Sequence, residues 1–363
     1  MILIPPLPSN KDEAWRWSDM AALQAAAQSP PRPLARDPED LFLDIEGPRL
    51  LFVDGELDAE RSRVGPVRQS PGEHRSGHPL AAAAAGRGSG WVAALGHGHE
   101  GLCIQIVHAG SGGESHLPAF LRLDEDIPAS LVETFVGSGW ANRSLRLELG
   151  RGARLMRSVR ILQDEGFVSI RDEAEVGEGA SLVSTFLAAG DGGTRIDGEI
   201  RLAGEGAYGE AGGALLARGR QRHDANFVVR HDRPSGTSRQ LWRSVADGQS
   251  TCSVAARVEV ARDAQKTDGE QSLKGLLLSR SATINAKPEL EIFADDVKCA
   301  HGATVGELNR DALFYMASRG VPEVEAKALL TRAFVADALG RIGDEVVREA
   351  VERDVERWFG GRA

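Results

Sequence analysis

The chain has 363 residues, more than one hydrophobic core usually holds, so the sequence predicts two or three structural units. Its formal net charge of −10 argues against a nucleic-acid-binding protein, which would carry a basic face. Its cysteines, Cys103, Cys252 and Cys299, are too few and too widely spaced for a secreted disulfide framework. No apolar run is long enough to span a membrane, and Met1–Ile4 is followed at once by two prolines instead of a signal core. We therefore expect a cytoplasmic protein that binds neither nucleic acid nor membrane.

Residues 1–90 predict a helical and loop-rich N-terminal region. Residues 12–27 are rich in alanine, with Trp15, Met20 and Leu23 at helical spacing, and a run of prolines follows them. Residues 81–85 are consecutive alanines, which indicate a second, shorter helix packed on the next domain.

Residues 91–305 read as an all-β core, because short alternating apolar segments recur there with glycines between them. The tetrapeptides Gly150-Arg-Gly-Ala, Gly177-Glu-Gly-Ala and Gly204-Glu-Gly-Ala stand at equal intervals of 27 residues. A fixed period of this size is typical of a solenoid whose coils stack on one another. We therefore expect a parallel β-helix rather than a sandwich, with positive φ at the corner glycines and the alanine beneath each bend.

Residues 306–363 predict a C-terminal helical domain. Asn309 can cap a first helix that ends near Gly320, and a second helix covers 323–339. A third helix starts at Asp344 and carries Val347, Val351, Val355 and Trp358 in one stripe, with Val346, Ala350 and Phe359 beside them. This stripe packs on the β domain or forms part of a partner-binding surface.

Two stretches, 96–101 and 204–209, match the glycine spacing of a dinucleotide-binding loop. Neither opens a helix after a strand, and the second belongs to the 27-residue repeat, so turn glycines explain both. No lysine follows a glycine, so the chain lacks the Gly-Lys of a phosphate-binding loop. Any ATP hydrolysis linked to this protein would come from a partner.

His97 and His99, with Cys103 and His108 nearby, are a candidate metal site for a histidine-based metal enzyme. A cupin would place a glutamate three or four residues beyond the second histidine, whereas here Glu100 follows at once. We favour loop or structural histidines, and metal binding remains an alternative.

Cys299 and His301 are the most informative pair of side chains. They lie in Lys287–Gly306, a segment of short strand-like pieces, and residues i and i+2 of a strand point to the same face. The pair could share a metal, or the imidazole could favour the thiolate, but one Cys-x-His is too small for a closed metal site. Spacing alone also fits a thiol that is merely packed in a core.

The amino-acid sequence of Lys287–Gly306 resembles the C-terminal signature of the SufB/SufD family of iron–sulfur cluster assembly proteins. The resemblance continues in Leu313-Phe-Tyr and Ser318-Arg-Gly-Val. Lys11-Asp-Glu-Ala-Trp-Arg-Trp-Ser-Asp-Met is similar to the opening of the SufD branch. Where the SufB branch has Glu-His-Glu, this chain has Ala300-His-Gly, and the reactive cysteine of that branch aligns with Ala282. These differences place the resemblance on the SufD side.

The resemblance implies a non-enzymatic scaffold with a β-helix core between helical ends. It implies a SufB-like partner and a SufC-like ATPase, with an iron–sulfur cluster held transiently in the complex and no cofactor in the isolated chain. At the matching positions of this sequence, the resemblance implies that His301 and Cys299 contribute to binding the cluster or iron at a subunit interface. His301 would be a metal ligand there. The C-terminal helices would bind the ATPase through residues that include Phe314, Tyr315, Arg319 and Phe334.

Other interpretations stay open at this point. A β-helix also commonly carries carbohydrate-active enzymes, although those gather several acids on one face and usually act outside the cell. The sequence does not decide between pairing with itself as a homodimer and pairing with another subunit. It also does not decide whether flavin binds in the complex or how iron is delivered.

Overall fold

The computed structural model describes residues 7–70, 76–85, 87 and 89–360. The prediction that Met1–Ile4 does not begin a signal core concerns residues outside these ranges. Within them, no helix has the length and apolar character needed to cross a membrane.

The N-terminal region is a chain of short elements. Residues 12–27 do not form one helix as predicted, because a 3₁₀ turn at Glu13–Trp15 is separated from helix α1 by an irregular stretch. Helix α1 begins at Met20, where the Asp19 side chain accepts from the backbone N–H of Ala22 and caps the helix. The remaining elements are a 3₁₀ turn at Pro38–Leu41, strands β1 (Arg49–Val53), β2 (Glu56–Leu57) and β3 (Arg68–Ser70), and helix α2 (Pro79–Ala84).

The core of the molecule is a parallel β-helix, as predicted. Its strands are β4 (Gly90–Leu95), β5 (Leu102–Leu123), β6 (Pro128–Leu149), β7 (Arg154–Ile161), β8 (Phe167–Val176), β9 (Ser181–Ala188), β10 (Gly193–Leu202), β11 (Tyr208–Ala217), β12 (Arg222–His231), β13 (Thr237–Ala246), β14 (Thr251–Val260), β15 (Asp268–Leu277), β16 (Thr283–Ile292) and β17 (Lys298–Glu307). From β7 onward each strand pairs in parallel with the strand two places away, so odd strands stack on one face and even strands on the other. The long β5 and β6 run through both faces.

The 27-residue repeat marks one corner of successive coils. Gly177 and Gly204 donate their N–H to Leu149 and Val176 on the preceding coil, and a Cβ on Gly204 would fall 2.0 Å from the Glu178 nitrogen. The positive φ belongs to the second glycine of each tetrapeptide, and the alanine after it is fully buried. The equivalent positive-φ residues are Asp126, Gly152, Gly179, Gly206, Ser235 and Lys266, each donating its N–H to a carbonyl of the next coil. The corners stack as the repeat predicted.

An ion network is buried inside the solenoid. Arg157 donates to Glu133 at 2.7 Å, Arg143 lies 3.0 Å from Glu133, and Asp172 contacts both arginines. Burial raises the pKa of Glu133, but the two arginine charges outweigh it and hold that pKa well below its ordinary value. The charges therefore compensate one another in a buried site.

Three C-terminal helices follow β17: α3 (Arg310–Ser318), α4 (Glu323–Leu339) and α5 (Glu345–Gly360). The predicted stripe of α5 is buried against the odd-strand face, on residues such as Val132, Leu216 and Val245, while Val346 is exposed. Asp354 of α5, itself buried, accepts from Arg160 of β7 at 2.7 Å. The α5 stripe is therefore a packing surface of this chain.

Strand β1 pairs in parallel with β5, so part of the N-terminal region contributes to the β-helix. The division into regions 1–90, 91–305 and 306–363 stays a prediction.

Candidate functional site

The last coil of the β-helix, formed by β16 and β17, has open backbone edges. Among the described residues β16 pairs only with β14, and β17 pairs only with β15. Nearly every residue of β17 is exposed, in contrast to the inner coils. An unpaired strand edge is a template on which another chain can add a strand.

Cys299 and His301 lie on β17 and project from the same strand face. Their register partners on β15 are Gly269 and Gln271. The Cys299 side chain is half-buried and packs against an apolar cluster that includes Val258 and Ala294. His301 is exposed at the open end. Both residues therefore lie two positions apart on one strand, which is the arrangement that the prediction of a common face assumed.

The surroundings of Cys299 determine its chemical state in the isolated chain. Burial raises the pKa of the Cys299 thiol above its ordinary value. The thiol is therefore protonated at neutral pH and is a weak nucleophile and metal ligand until a partner or a metal changes its environment.

The last coil offers few metal ligands by itself. Among the described residues no three His, Cys, Asp or Glu side chains are grouped so that they could hold a metal ion. An iron site at His301 would need further ligands from another chain.

Sequence reasoning missed two glutamines next to His301. Gln240 on β13 is the register partner of Gln271 on β15, and Gln271 is the register partner of His301. Both glutamines are 1% exposed, in an interior that holds Trp242 and Leu273. The only signal for them in the sequence is their polar character at positions that a strand alternation assigns to the core.

The four candidate ligands of the alternative metal site lie in three different surroundings. His97 and His99 lie in the loop between β4 and β5, where His97 is fully exposed and its Nδ1 is 2.8 Å from Glu100. His108 is buried between Phe52 and Phe135, and Cys103 packs in the cluster beneath α5.

The outer face of the even strands carries many carboxylates, which bears on a carbohydrate-active enzyme. These carboxylates alternate with arginines in a ladder across the coils, for example Glu199 with Arg171 and Arg230, and Glu289 with Arg257. Glycoside hydrolysis needs an acid whose pKa is raised beside a second carboxylate. Carboxylates that face arginines do not provide that environment.

The C-terminal residues assigned to ATPase binding separate into two groups. Phe314 and Tyr315 on α3 are 75% and 57% exposed, and the Arg319 guanidinium lies 4.8 Å from the Tyr315 ring. Phe334 on α4 is half-buried and faces the β-helix, with Arg243 6.0 Å from its ring. Exposed apolar residues continue on α4 at Val324 and Leu329. We call Phe314, Tyr315, Val324 and Leu329 the α3–α4 patch.

Comparisons with known proteins agree on one family. Residues 107–334, more than half of the chain, match the family model described as SUF system FeS cluster assembly, SufBD core domain. The chain is 26% identical to iron-sulfur cluster assembly protein SufD of Escherichia coli (strain K12), over 95% of this chain and 88% of that protein. It is likewise 26% identical to protein ABCI7, chloroplastic, of Arabidopsis thaliana, over 98% of this chain and 83% of that protein. A SufBD family protein of Synechocystis is 39% identical over 35% of this chain and 28% of its own length.

Proposed function

The chain belongs to the SufBD family of iron–sulfur cluster assembly proteins, and from that membership we propose that it is a SufD-like scaffold subunit. In this role it works in a complex with a SufB-like subunit and a SufC-like ATPase. It catalyses no reaction of its own and contributes an interface where the cluster is built. The cluster is the cargo of the complex, and the isolated chain holds no resident cofactor.

The observation that carries this proposal is the open last coil. A parallel β-helix that ends in two strands with unpaired edges presents backbone donors and acceptors to another strand. His301 and Cys299 lie on this same coil, so a subunit that pairs with β17 would bring its own ligands next to them. Because a cluster needs several thiolate or imidazole ligands, such an interface supplies what one chain lacks.

In this interface His301 has the leading role. Neutral imidazole binds iron through one ring nitrogen, and His301 is exposed where the partner would arrive. Cys299 has the lesser role, because its thiol is half-buried and protonated in the isolated chain.

The ATPase would bind at the α3–α4 patch. Helix α3 has no buried residue, although it carries Phe314 and Tyr315. Exposed aromatic residues grouped on a short helix are typical of a protein interface. Phe334 would support this surface from beneath, since it packs against the β-helix, and Arg319 would hold the Tyr315 ring in place.

The central experiment measures cluster formation in the complex assembled from this chain, a SufB-like subunit and a SufC-like ATPase. We expect His301→Ala to leave complex assembly intact and to reduce cluster formation strongly, with Cys299→Ala having a smaller effect. His97→Ala is the matched control, because His97 is exposed and lies in a loop remote in sequence from the last coil. Normal cluster formation with His301→Ala would overturn the role of this residue.

A second experiment tests the ATPase surface. Deletion of the helical region is a poor test, since α4 and α5 cover an apolar face of the β-helix that includes Val245 and Leu276. Phe314→Asp changes only an exposed side chain, and we expect it to weaken ATPase binding at least about tenfold, as for a buried aromatic anchor. The control is Phe293→Asp at another exposed aromatic residue, which follows β16. Equal ATPase affinity of Phe314→Asp and the wild type would place the ATPase elsewhere.

Pairing of two copies of this chain is the other arrangement that an open edge permits. Sedimentation of the isolated chain and of its mixture with a SufB-like subunit distinguishes self-pairing from pairing with that subunit. We expect the mixed complex to displace any self-association.

A further inference from the structure

Gln240, Gln271 and His301 form a column through the last three odd strands. They are direct register partners on β13, β15 and β17, and neighbouring strands lie about 4.8 Å apart. Side chains that share a face at this spacing are within hydrogen-bonding reach of the next residue in the column. Only His301, at the open end, reaches solvent.

The base of the column has a fixed direction. Gln240 Nε2 donates to the backbone carbonyl of Arg257 at 2.9 Å. A carbonyl oxygen only accepts, so Gln240 must present its NH₂ group to Arg257 and its Oε1 to the rest of the interior.

The polar atoms above this base lack partners. Gln240 Oε1 and both amide atoms of Gln271 are buried without a hydrogen bond among the described residues. Leaving such a group unsatisfied costs about 1–3 kcal/mol, and most buried polar atoms in proteins have a partner. Three unsatisfied atoms in two adjacent side chains therefore point to interactions that continue along the column.

We propose that Gln240 and Gln271 form an amide relay that fixes the tautomer of His301. Gln240 Oε1 accepts from Gln271 Nε2, which leaves Gln271 Oε1 to accept the N–H of the His301 ring nitrogen that faces inward, directly or through one water molecule. The other ring nitrogen then keeps its lone pair and faces the open edge. Gln271 is a positioning residue, because it acts through His301.

The relay has a consequence for metal binding, and here the inference rests on the proposed function of His301. Metal-binding histidines usually donate their second ring N–H to an acceptor that fixes the tautomer and the ring orientation. A histidine already held in the correct tautomer loses less freedom when iron binds. The Arg257 carbonyl, through the orientation of the Gln240 and Gln271 amides, would thus determine which ring nitrogen of His301 carries the proton at the interface two coils away.

The tautomer can be measured in the full isolated chain without metal or partner. The protein is labelled with ¹⁵N-histidine, the His301 ring is identified by its loss in His301→Asn, and the two ring nitrogens are read by long-range ¹H–¹⁵N correlation at alkaline pH. We expect one tautomer of His301 to exceed the other by about tenfold. Gln271→Met keeps the length and volume of the side chain but cannot accept, so the ratio should fall by about fivefold, the value of one hydrogen bond of about 1 kcal/mol.

Two further variants keep the test decisive. Gln240→Met removes the base of the relay and should lower the ratio even if Gln271→Met does not fold. Gln249→Met at an exposed glutamine is the control and should leave the ratio unchanged. An unchanged ratio in a folded Gln271→Met or Gln240→Met protein overturns the relay.

Cluster formation is measured separately in the complex. An unchanged tautomer ratio together with loss of cluster formation in His301→Ala overturns the relay and leaves the proposed function standing. Normal cluster formation in His301→Ala overturns the proposed role of His301 in cluster assembly, whatever the tautomer ratio.

Discussion

Cys299 stands over Gly269, its register partner on the preceding odd strand, and a Cβ atom on Gly269 would come within 3.4 Å of Cys299 Sγ. That distance is an ordinary van der Waals contact. The Cys299 thiol therefore lies one ordinary contact above Gly269, at the end of the core, and this burial raises its pKa.

The three cysteines should differ in their reaction with iodoacetamide. Cys299 is the most accessible, whereas Cys103 and Cys252 are buried, and burial raises the pKa of Cys103 to about 12. We expect Cys299 to be modified first, more slowly than a free thiol because its own pKa is raised, and the other two only on unfolding. Mass spectrometry of the native protein over time measures this order. Early modification of Cys252 would contradict the packing described here.

The corner glycines of one coil should differ in their response to substitution. Gly204→Ala places a Cβ 2.0 Å from the Glu178 nitrogen, so the coils must separate, and we expect a loss of several kcal/mol of unfolding free energy. Gly206 has a φ of +68° but open space around it, so Gly206→Asn should cost less than about 1 kcal/mol, because asparagine tolerates this conformation. Urea unfolding of the two variants measures the difference. Equal costs would mean that the coils do not stack at Gly204.

The fold was predictable where the glycine repeat is regular, and it was less predictable where other residues replace the corner glycines. Gly152, Gly179 and Gly206 carry the same backbone conformation at a constant interval, which made the solenoid visible. Ser235 and Lys266 adopt the same conformation without glycine, so the later corners leave no sequence signal. The pairing of β1 with β5 was not predictable either, since it joins segments far apart in the chain.

The candidate site was predictable only as far as one strand reaches. Cys299 and His301 share a face because strand geometry alone dictates it. Gln271 lies beside His301 because of the register between β15 and β17, and that register depends on the length of each coil. The ion network around Glu133 escaped prediction for the same reason, as its four members come from three strands.

Buried histidines should make the protein lose stability in mild acid. Burial lowers the pKa of His223 and of His231 to about 4, so both are neutral in the folded chain. Below the unfolded value of about 6.5 the unfolded chain binds protons that the folded chain does not, so the free energy of unfolding falls until the pH reaches the folded pKa. We expect a loss of about 2 kcal/mol per histidine between pH 6.5 and pH 5.

Variants locate this effect. His223 lies 3.1 Å from the Leu216 carbonyl, and glutamine at that position can donate to the same oxygen without titrating. His223→Gln should therefore reduce the dependence of unfolding free energy on pH, whereas His97→Gln, at an exposed loop position, should not. An unchanged pH dependence in His223→Gln would show that this histidine does not contribute to the effect.

The free edge of β17 should be blockable by a single proline. Lys298 donates its N–H to Thr267 on the preceding coil, and since parallel strands alternate their N–H groups between two sides, the N–H of Ala303 points to the open edge. Ala303→Pro removes one outward donor without removing a bond to β15. We expect it to weaken pairing with a SufB-like subunit at least about tenfold while the chain keeps its circular dichroism spectrum. Ala303→Val adds similar bulk but retains the N–H, so it should pair nearly as well as the wild type. If both variants pair equally with the SufB-like subunit in sedimentation, strand addition at β17 is not how the two subunits meet.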